Sequence, residues 1–274
     1  MPELPEVETV VRGLAKCLPG LKIERVEVLH PRPLGGTSPQ AFNDFFAGRS
    51  FEKISRFGKY LWFMLDNKSS MVAHLRMTGK FIFQERQDYP HDHIRVIFFV
   101  SGGARLYFKD VRLFGTLKIY PPGAVILEWE KLGVDPVLEK LTAEYLLDKA
   151  RGRKIPVKTF LLDQSVMAGL GNIYASEILF SARISPFIPV LKISRKQWER
   201  IVEFTEEILA RAILHNGTSI SDFRNVDDKT GEFQKMLMVY QRGGQICRVC
   251  GKTVIEKAVQ GQRSTFYCPL CQGE

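Results

Sequence analysis

No apolar run in this chain approaches the roughly 18 residues that a membrane-spanning helix needs. The opening Met1-Pro2-Glu3-Leu4-Pro5-Glu6 lacks the basic and apolar regions of a signal peptide, so a cytoplasmic location is expected. Cysteine is scarce: before Cys247, Cys17 stands alone. That distribution excludes a secreted scaffold held by disulfides. There is no internal repeat, which argues against solenoids and propellers. Acidic residues are outnumbered, with 30 Asp+Glu against 39 Lys+Arg and a formal net charge of +9 over 274 residues. A pI near 9.3 favours polyanionic partners such as nucleic acid, although a merely solvated basic surface gives the same number.

The length suits two domains, or one with an appendage, and a hydrophobic fraction of 45% supplies a proper core. The first stretch has helical spacing at Val7, Val10, Val11, Leu14 and Leu18, with Pro5 at an early helical position, Glu6 and Glu8 near the positive end of the dipole, and Pro19-Gly20 as the stop. Cys17 lies beside the apolar face, as a small buried thiol would. From Lys22 to about Tyr120 the pattern changes to short runs rich in β-branched and aromatic residues: Ile23–Leu29, Tyr60–Leu65, Met71–Leu75, Lys80–Phe83, Ile94–Val100, Arg105–Phe108 and Thr116–Tyr120. Such spacing predicts an antiparallel sandwich or barrel, with a short helix over Ala41–Phe46. Beyond Gly133-Val134-Asp135-Pro136 the chain turns helical. Thr142 caps a helix to about Ala150, a second spans Val157 to Val166, a third runs from near Asn172 to near Ala182, and Ser194 with Gln197 opens a long one to about His215. Residues 216–240 are polar and glycine-bearing, as a mobile loop would be.

Cys247-x2-Cys250-x17-Cys268-x2-Cys271 has the spacing of a four-cysteine zinc ribbon. Each C-x-x-C turn offers two thiolates to one side, and two turns complete a tetrahedron around one structural Zn2+. Four protein ligands leave no open position, so this zinc is not catalytic. From Gln241 onward five basic residues face two acidic ones, and Arg263 sits in an expected hairpin between the cysteine pairs.

Two further features admit more than one reading. Gly169-Leu170-Gly171-Asn172 lies between helical runs. It is either an ordinary helical hairpin or a turn whose helix presents free N–H groups to a phosphate. Pro2 either starts a helix or, once Met1 is removed, becomes a secondary amine able to attack a sugar aldehyde carbon and form an imine. Glu3 beside it serves the helix dipole or moves protons.

Taken together, the chain resembles the formamidopyrimidine-DNA glycosylases, bacterial base-excision repair enzymes for oxidised purines. The resemblance rests on Pro2-Glu3-Leu4-Pro5-Glu6-Val7-Glu8-Thr9, Gly58-Lys59-Tyr60-Leu61, His74-Leu75-Arg76-Met77-Thr78-Gly79, His91-Asp92-His93, Asp110-Val111-Arg112-Leu113-Phe114-Gly115, Gly169-Leu170-Gly171-Asn172-Ile173-Tyr174-Ala175 and the ribbon with Arg263-Ser264-Thr265-Phe266-Tyr267-Cys268. It covers essentially the whole chain. It implies an α+β multidomain protein: an antiparallel β-sandwich with an amino-terminal helix (1–130), a helical helix–two-turn–helix domain with a lesion-recognition loop at 217–240 (131–240), and a zinc finger (241–274). DNA would lie in a basic cleft with the damaged nucleotide flipped out of the stack.

The resemblance also implies roles. Pro2 attacks the sugar C1′, Glu3 assists ring opening, and Lys59 and Arg263 serve the β- and δ-eliminations, while Glu6 orients the amino-terminal turn. Met77, Arg112 and Phe114 fill the gap left by the flipped base. His74, Asn172, Tyr240 and Arg263 meet phosphates, with His91, Arg153 and Lys154 also near DNA, and Ser219 with neighbouring amides recognises the base. The implied partner is damaged double-stranded DNA, met by a monomer with no membrane and no obligate protein partner. Leu113 stands where the family often has a second basic residue, and Thr78 where some members carry Glu; both departures bear on lesion preference rather than on the chemistry. The related endonuclease VIII, for oxidised pyrimidines, usually has Gly where this chain has Leu4 and lacks the Met77/Arg112/Phe114 arrangement. A catalytically inactive zinc-ribbon DNA-binding protein would not need Pro2, Glu3 and Lys59.

Overall fold

The computed structural model describes residues 1–85, 92–218 and 231–273. By its contacts the chain forms two compact units, one of residues 1–127 with 215–232, the other of residues 128–214 with 233–274. Among the described residues no helix is long and apolar enough to cross a membrane.

The first unit opens with helix α1 (Leu4–Cys17), carrying Pro5 and Glu6 in its first turn and Lys16 in its last, each at the end that its chemistry favours. Strand β1 (Ile23–Val28) follows, then helix α2 (Pro39–Phe46), whose cap Ser38 accepts the Ala41 N–H at 3.2 Å. Next come β2 (Phe51–Phe57), β3 (Tyr60–Leu65), β4 (Ser70–His74), β5 (Lys80–Gln84), β6 (Ile94–Val100), β7 (Arg105–Lys109) and β8 (Thr116–Tyr120). They form two antiparallel four-stranded sheets, ordered β1-β6-β7-β5 and β2-β3-β4-β8. The inward faces, with α1 and α2, enclose one core. Phe42, Phe46, Phe51, Phe63, Phe81, Phe98 and Phe108 interlock there, with Val7, Val10 and Leu14 of α1 packed against them. Each such side chain contributes about 1.5–3 kcal/mol by leaving water, so the platform beneath the loops is rigid.

Strand β2 is absent from the sequence reading. Glu52, Lys53 and Arg56 interrupt its apolar positions, and a register irregularity between Phe51 and Lys53 breaks the alternation. Cys17 is half-buried rather than buried, with its thiol beside the carbonyls of Gly13 and Leu14.

The second unit holds α3 (Ala143–Ala150), α4 (Val157–Leu161), α5 (Asn172–Ser181), α6 (Arg195–Leu214) and the hairpin of β9 (Glu256–Gln260) and β10 (Arg263–Tyr267). Thr142 caps α3, and Ser194 with Gln197 forms the reciprocal box before α6. Helix α4 ends at Leu161, not Val166. There Gln164 takes over the backbone groups, donating to the carbonyls of Leu162 and Leu170 and accepting from Gly169 N–H. Residues 233–240 are not a loose loop: Phe233, Leu237 and Val239 are buried, with a 3-10 turn over Phe233–Met236.

Candidate active site and nucleic-acid interface

At the head of α1, Pro2, Glu3 and Glu6 are all buried. One oxygen of Glu6, Oε2, accepts the Glu3 N–H at 2.9 Å. The other, Oε1, accepts the Thr218 N–H at 2.7 Å and the Thr218 hydroxyl at 3.0 Å. One carboxylate therefore ties the amino-terminal turn to the chain just ahead of residue 219. Residues 215–218 and 231–232 lie side by side: Glu232 N–H donates to His215 O at 3.0 Å, and a Cβ on Gly231 would lie 2.3 Å from Gly217 O. Gly217, at φ +71°, would put a Cβ 2.6 Å from Glu6 Oε1, so a side chain at 231 meets backbone and one at 217 displaces the Glu6 carboxylate and strains the chain.

Lys59 occupies the two-residue turn between β2 and β3. Gly58, at φ +56°, takes the first position, as the primed hairpin turns require. Burial lowers the pKa of the Met1 amino group from its ordinary value near 8; Glu3 and Glu6 oppose the shift and Lys59 adds to it. An amine at this place is thus biased toward its neutral, nucleophilic form.

His74, at the end of β4, is only 5% exposed. Its Nδ1 accepts the Arg76 N–H at 2.9 Å, which leaves the proton on Nε2. Burial, then Arg76 and Lys59, lowers its pKa to about 3. His74 is therefore a neutral donor. Met77 and Phe114 stand 43% and 44% exposed, and the Arg112 guanidinium sits 4.7 Å from the Phe114 ring centroid. Large apolar side chains so displayed suit insertion between bases.

In the second unit, Gly171 precedes α5 in extended conformation and Asn172 begins the helix. Asn172 Nδ2 donates to Ser264 O at 2.8 Å, so its side chain grips the β-hairpin, and a helix N-terminus of this kind suits an anion. Lys158, fully buried, donates to the same carbonyl at 3.1 Å and to Thr265 Oγ1 at 2.8 Å. Together they fix the residue that follows Arg263, itself exposed beside the tight Gly261-Gln262 turn. Arg153 pairs with Asp163 at 2.9 Å and lies over the Phe160 ring, while Lys154 is exposed. The Tyr240 ring packs edge-on against Phe266, and its N–H donates to Glu177. Glu177 is buried in α5 and also accepts the N–H groups of Met238 and Val239. Burial pushes its pKa up, and these three donors offset only part of that shift.

Sequence reasoning missed Thr218, Lys158, Glu177 and Asp110. The signal for Lys158 and Glu177 was present: each is a charge inside an otherwise apolar helical run. His91 and Ser219 lie outside the described residues.

The four cysteines converge, with all four Sγ atoms within 4.8 Å of one another. Cys247–Cys271 and Cys250–Cys268 are separated by 3.9 and 3.8 Å. A tetrahedron of bonds of about 2.3 Å has edges of about 3.8 Å, so the set fits zinc. The Cys271 N–H, 3.3 Å from Cys268 Sγ, supports the thiolate.

Three family models match the chain: the formamidopyrimidine-DNA glycosylase N-terminal domain over residues 1–117, the H2TH domain of the same glycosylases over 132–224, and a zinc finger found in FPG and IleRS over 244–273. The chain is 40% identical over 274 residues to the formamidopyrimidine-DNA glycosylase of Pelotomaculum thermopropionicum, covering 99% of each. Among solved structures it superposes with a TM-score of 0.91 and 33% identity on Lactococcus lactis FPG in complex with a Fapy-dG containing DNA, covering 99% of this chain and 100% of that one. It matches the Lactococcus lactis enzyme with an abasic site containing DNA at the same TM-score of 0.91, identity of 33% and coverage. From end to end, therefore, the chain belongs to the formamidopyrimidine-DNA glycosylase family.

Proposed function

We propose that this protein is a bifunctional DNA glycosylase and AP lyase. It excises oxidised purines, 8-oxoguanine and formamidopyrimidines among them, from duplex DNA in the bacterial cytoplasm. The observation that carries the reading is the buried amino-terminal cluster, in which Glu3, Glu6 and Lys59 set the charge around the terminal amine.

Removal of Met1 makes the Pro2 nitrogen the terminal amine. Its lone pair attacks C1′ of the damaged nucleotide as the C1′–N bond breaks, and the bonding pair leaves with the base, which is protonated as it departs. The attacking nitrogen gives up its own proton, Glu3 delivers a proton to the ring oxygen, the C1′–O bonding pair goes to that oxygen as the sugar opens, and the freed nitrogen pair forms the iminium with C1′. Loss of a C2′ proton then expels the 3′ phosphate, and a second elimination expels the 5′ phosphate; Lys59 and Arg263 serve these two steps. Before chemistry, Met77, Arg112 and Phe114 occupy the space vacated by the extruded base. His74, Asn172, Tyr240 and Arg263 hold phosphates, with His91, Arg153 and Lys154 at the edge of the footprint and Ser219 at the base itself. Cys247, Cys250, Cys268 and Cys271 hold zinc, which stabilises the ribbon and takes no part in bond making.

Borohydride trapping on a duplex carrying 8-oxoguanine opposite cytosine tests this. The expected product is a covalent adduct that maps to Pro2. Trapping of an oxidised pyrimidine alone would assign the endonuclease VIII specificity, and no adduct from a processed, zinc-loaded protein would leave a DNA-binding protein without catalysis.

A further inference from the structure

The two loops that carry Met77 and Arg112/Phe114 are neighbouring crossovers between the same two sheets. Residues 75–79 run from β4 to β5, and residues 110–115 run from β7 back to β8. Strand pairing clamps both ends: His74 faces Thr116 on one sheet and Lys80 faces Lys109 on the other. Between the clamps the loops are joined by two side chains that lie outside the proposed chemistry, Thr78 and Asp110. The Thr78 hydroxyl donates to Asp110 Oδ1. The same hydroxyl accepts the Arg112 N–H at 3.0 Å, and that N–H is shared with Asp110 Oδ1 at 3.2 Å. Asp110 Oδ2 accepts the Gly115 N–H at 2.8 Å. Asp110 is fully buried, and its backbone is fixed too: His93 O accepts its N–H at 3.0 Å, and its carbonyl accepts Arg95 Nε at 2.7 Å.

The consequence is a latch. Asp110 grips the 110–115 loop at both ends, at Arg112 and Gly115, and Thr78 joins that grip to the turn bearing Met77. Leu113, at φ +57°, sits between the two gripped amides, so the backbone there is held in a conformation that it would not adopt unaided. Gly115 leaves no space for a side chain, since a Cβ would fall 2.7 Å from Phe108 Cζ and 3.3 Å from His74 O. The two loops are thereby tied to each other through Thr78 and Asp110, and the Arg112–Phe114 contact adds to that hold at the surface.

We propose that Thr78 and Asp110 are positioning residues that set opposite-base selectivity, by holding the Arg112 backbone in fixed register with Met77. This rests on the glycosylase reading above. Thr78 is the tunable member, because among the described residues its hydroxyl alone both donates to Asp110 and accepts from Arg112.

The test is the ratio of excision rates for 8-oxoguanine opposite cytosine and opposite adenine, measured by trapping in wild type, Thr78→Val, Thr78→Ser and Asp110→Asn. A general loss of folding or catalysis cancels in the ratio. Thr78→Val keeps the shape and removes the hydroxyl, and the ratio should fall roughly tenfold, the value of one well-placed hydrogen bond to an ionised group. Thr78→Ser should stay within about twofold of wild type on the same scale. Asp110→Asn turns one acceptor into a donor facing an N–H, so its ratio should also fall. A Thr78→Val ratio equal to wild type overturns the proposal. So does a Thr78→Ser variant as impaired as Thr78→Val, or a wild type without opposite-base preference. A wild type that gives no adduct on either duplex refutes the oxidised-purine reading itself, and this inference with it.

Discussion

His74 should remain uncharged at every pH at which this protein works. With a pKa near 3 when folded and an ordinary value of 6.5 when unfolded, the unfolded chain binds the extra proton throughout the interval between them. Stability therefore falls as pH drops below 6.5 and finishes falling near pH 3. At about 1.4 kcal/mol per pH unit the penalty from this one residue is about 0.8 kcal/mol at pH 6 and about 2 kcal/mol at pH 5. His74→Asn removes the titration while offering Oδ1 to the Arg76 N–H. The difference in unfolding free energy between wild type and variant should therefore shift by about 2 kcal/mol between pH 7 and pH 5, read by urea denaturation at each pH. Nitrogen NMR of the five histidines gives the direct measurement: one ring should stay in the Nε2–H form down to about pH 4. A His74 resonance that titrates near pH 6.5 refutes both the burial argument and the tautomer. The neutral form has a consequence for DNA, too. A donor without charge releases no counterion, so His74→Asn should weaken binding yet leave its salt dependence unchanged.

Other expectations follow from the same contacts. Cys268→Ser should lose zinc and most DNA affinity, as metal analysis and a binding isotherm would show; full zinc content in the variant contradicts the ribbon assignment. Gly217→Ala forces a methyl group against Glu6 in a strained backbone region. It should lower melting temperature and Pro2 trapping together, so a fully active, equally stable variant would mean that the stem is looser than described. Lys158→Met keeps the buried stem but leaves Thr265 without its cationic donor, at a cost of about 1–3 kcal/mol in thermal or chemical unfolding; no change would show that the lysine is dispensable. Pro2→Gly should retain duplex binding and lose much of the lyase activity, and lost binding with intact cleavage would contradict the nucleophile assignment.

Local rules were enough wherever the partner of a residue lies nearby. Pro5 and Glu6 announced α1, Thr142 and Ser194 announced their helices, and cysteine spacing alone announced the ribbon. The unreadable parts depend on distant partners. Strand β2 hides its edge because Arg56 is buried against Glu8 of α1, at 2.7 Å, and a buried arginine looks like a surface one until its partner is known. Helix α4 stops early because Gln164 reaches forward to Leu170. Residues 216–240 read together as one polar loop, yet the apolar stretch 233–240 at its end is ordered by Glu177, some sixty positions earlier, through three backbone amides. In the candidate site, motif order named the side chains proposed to face DNA; Thr218 has no local signature, Asp110 sits in a motif without showing what it holds, and the charge of Lys158 in an apolar run does not reveal its partner on the hairpin. Their function is geometric, and geometry appears only on folding.

Glu6 can be viewed finally as a strut of fixed length. Its two oxygens are committed in different directions, one to Glu3 and one to Thr218. An aspartate would keep the charge yet fall short by about 1.5 Å, the length of one carbon–carbon bond. A glutamine would keep the length but present an amide NH2, itself a donor, to one of the two N–H groups. Substitution here is thus constrained in reach and in acceptor number at once. A lineage can drift in surface charge around this helix, but at this position it has almost no neighbouring sequence to drift into.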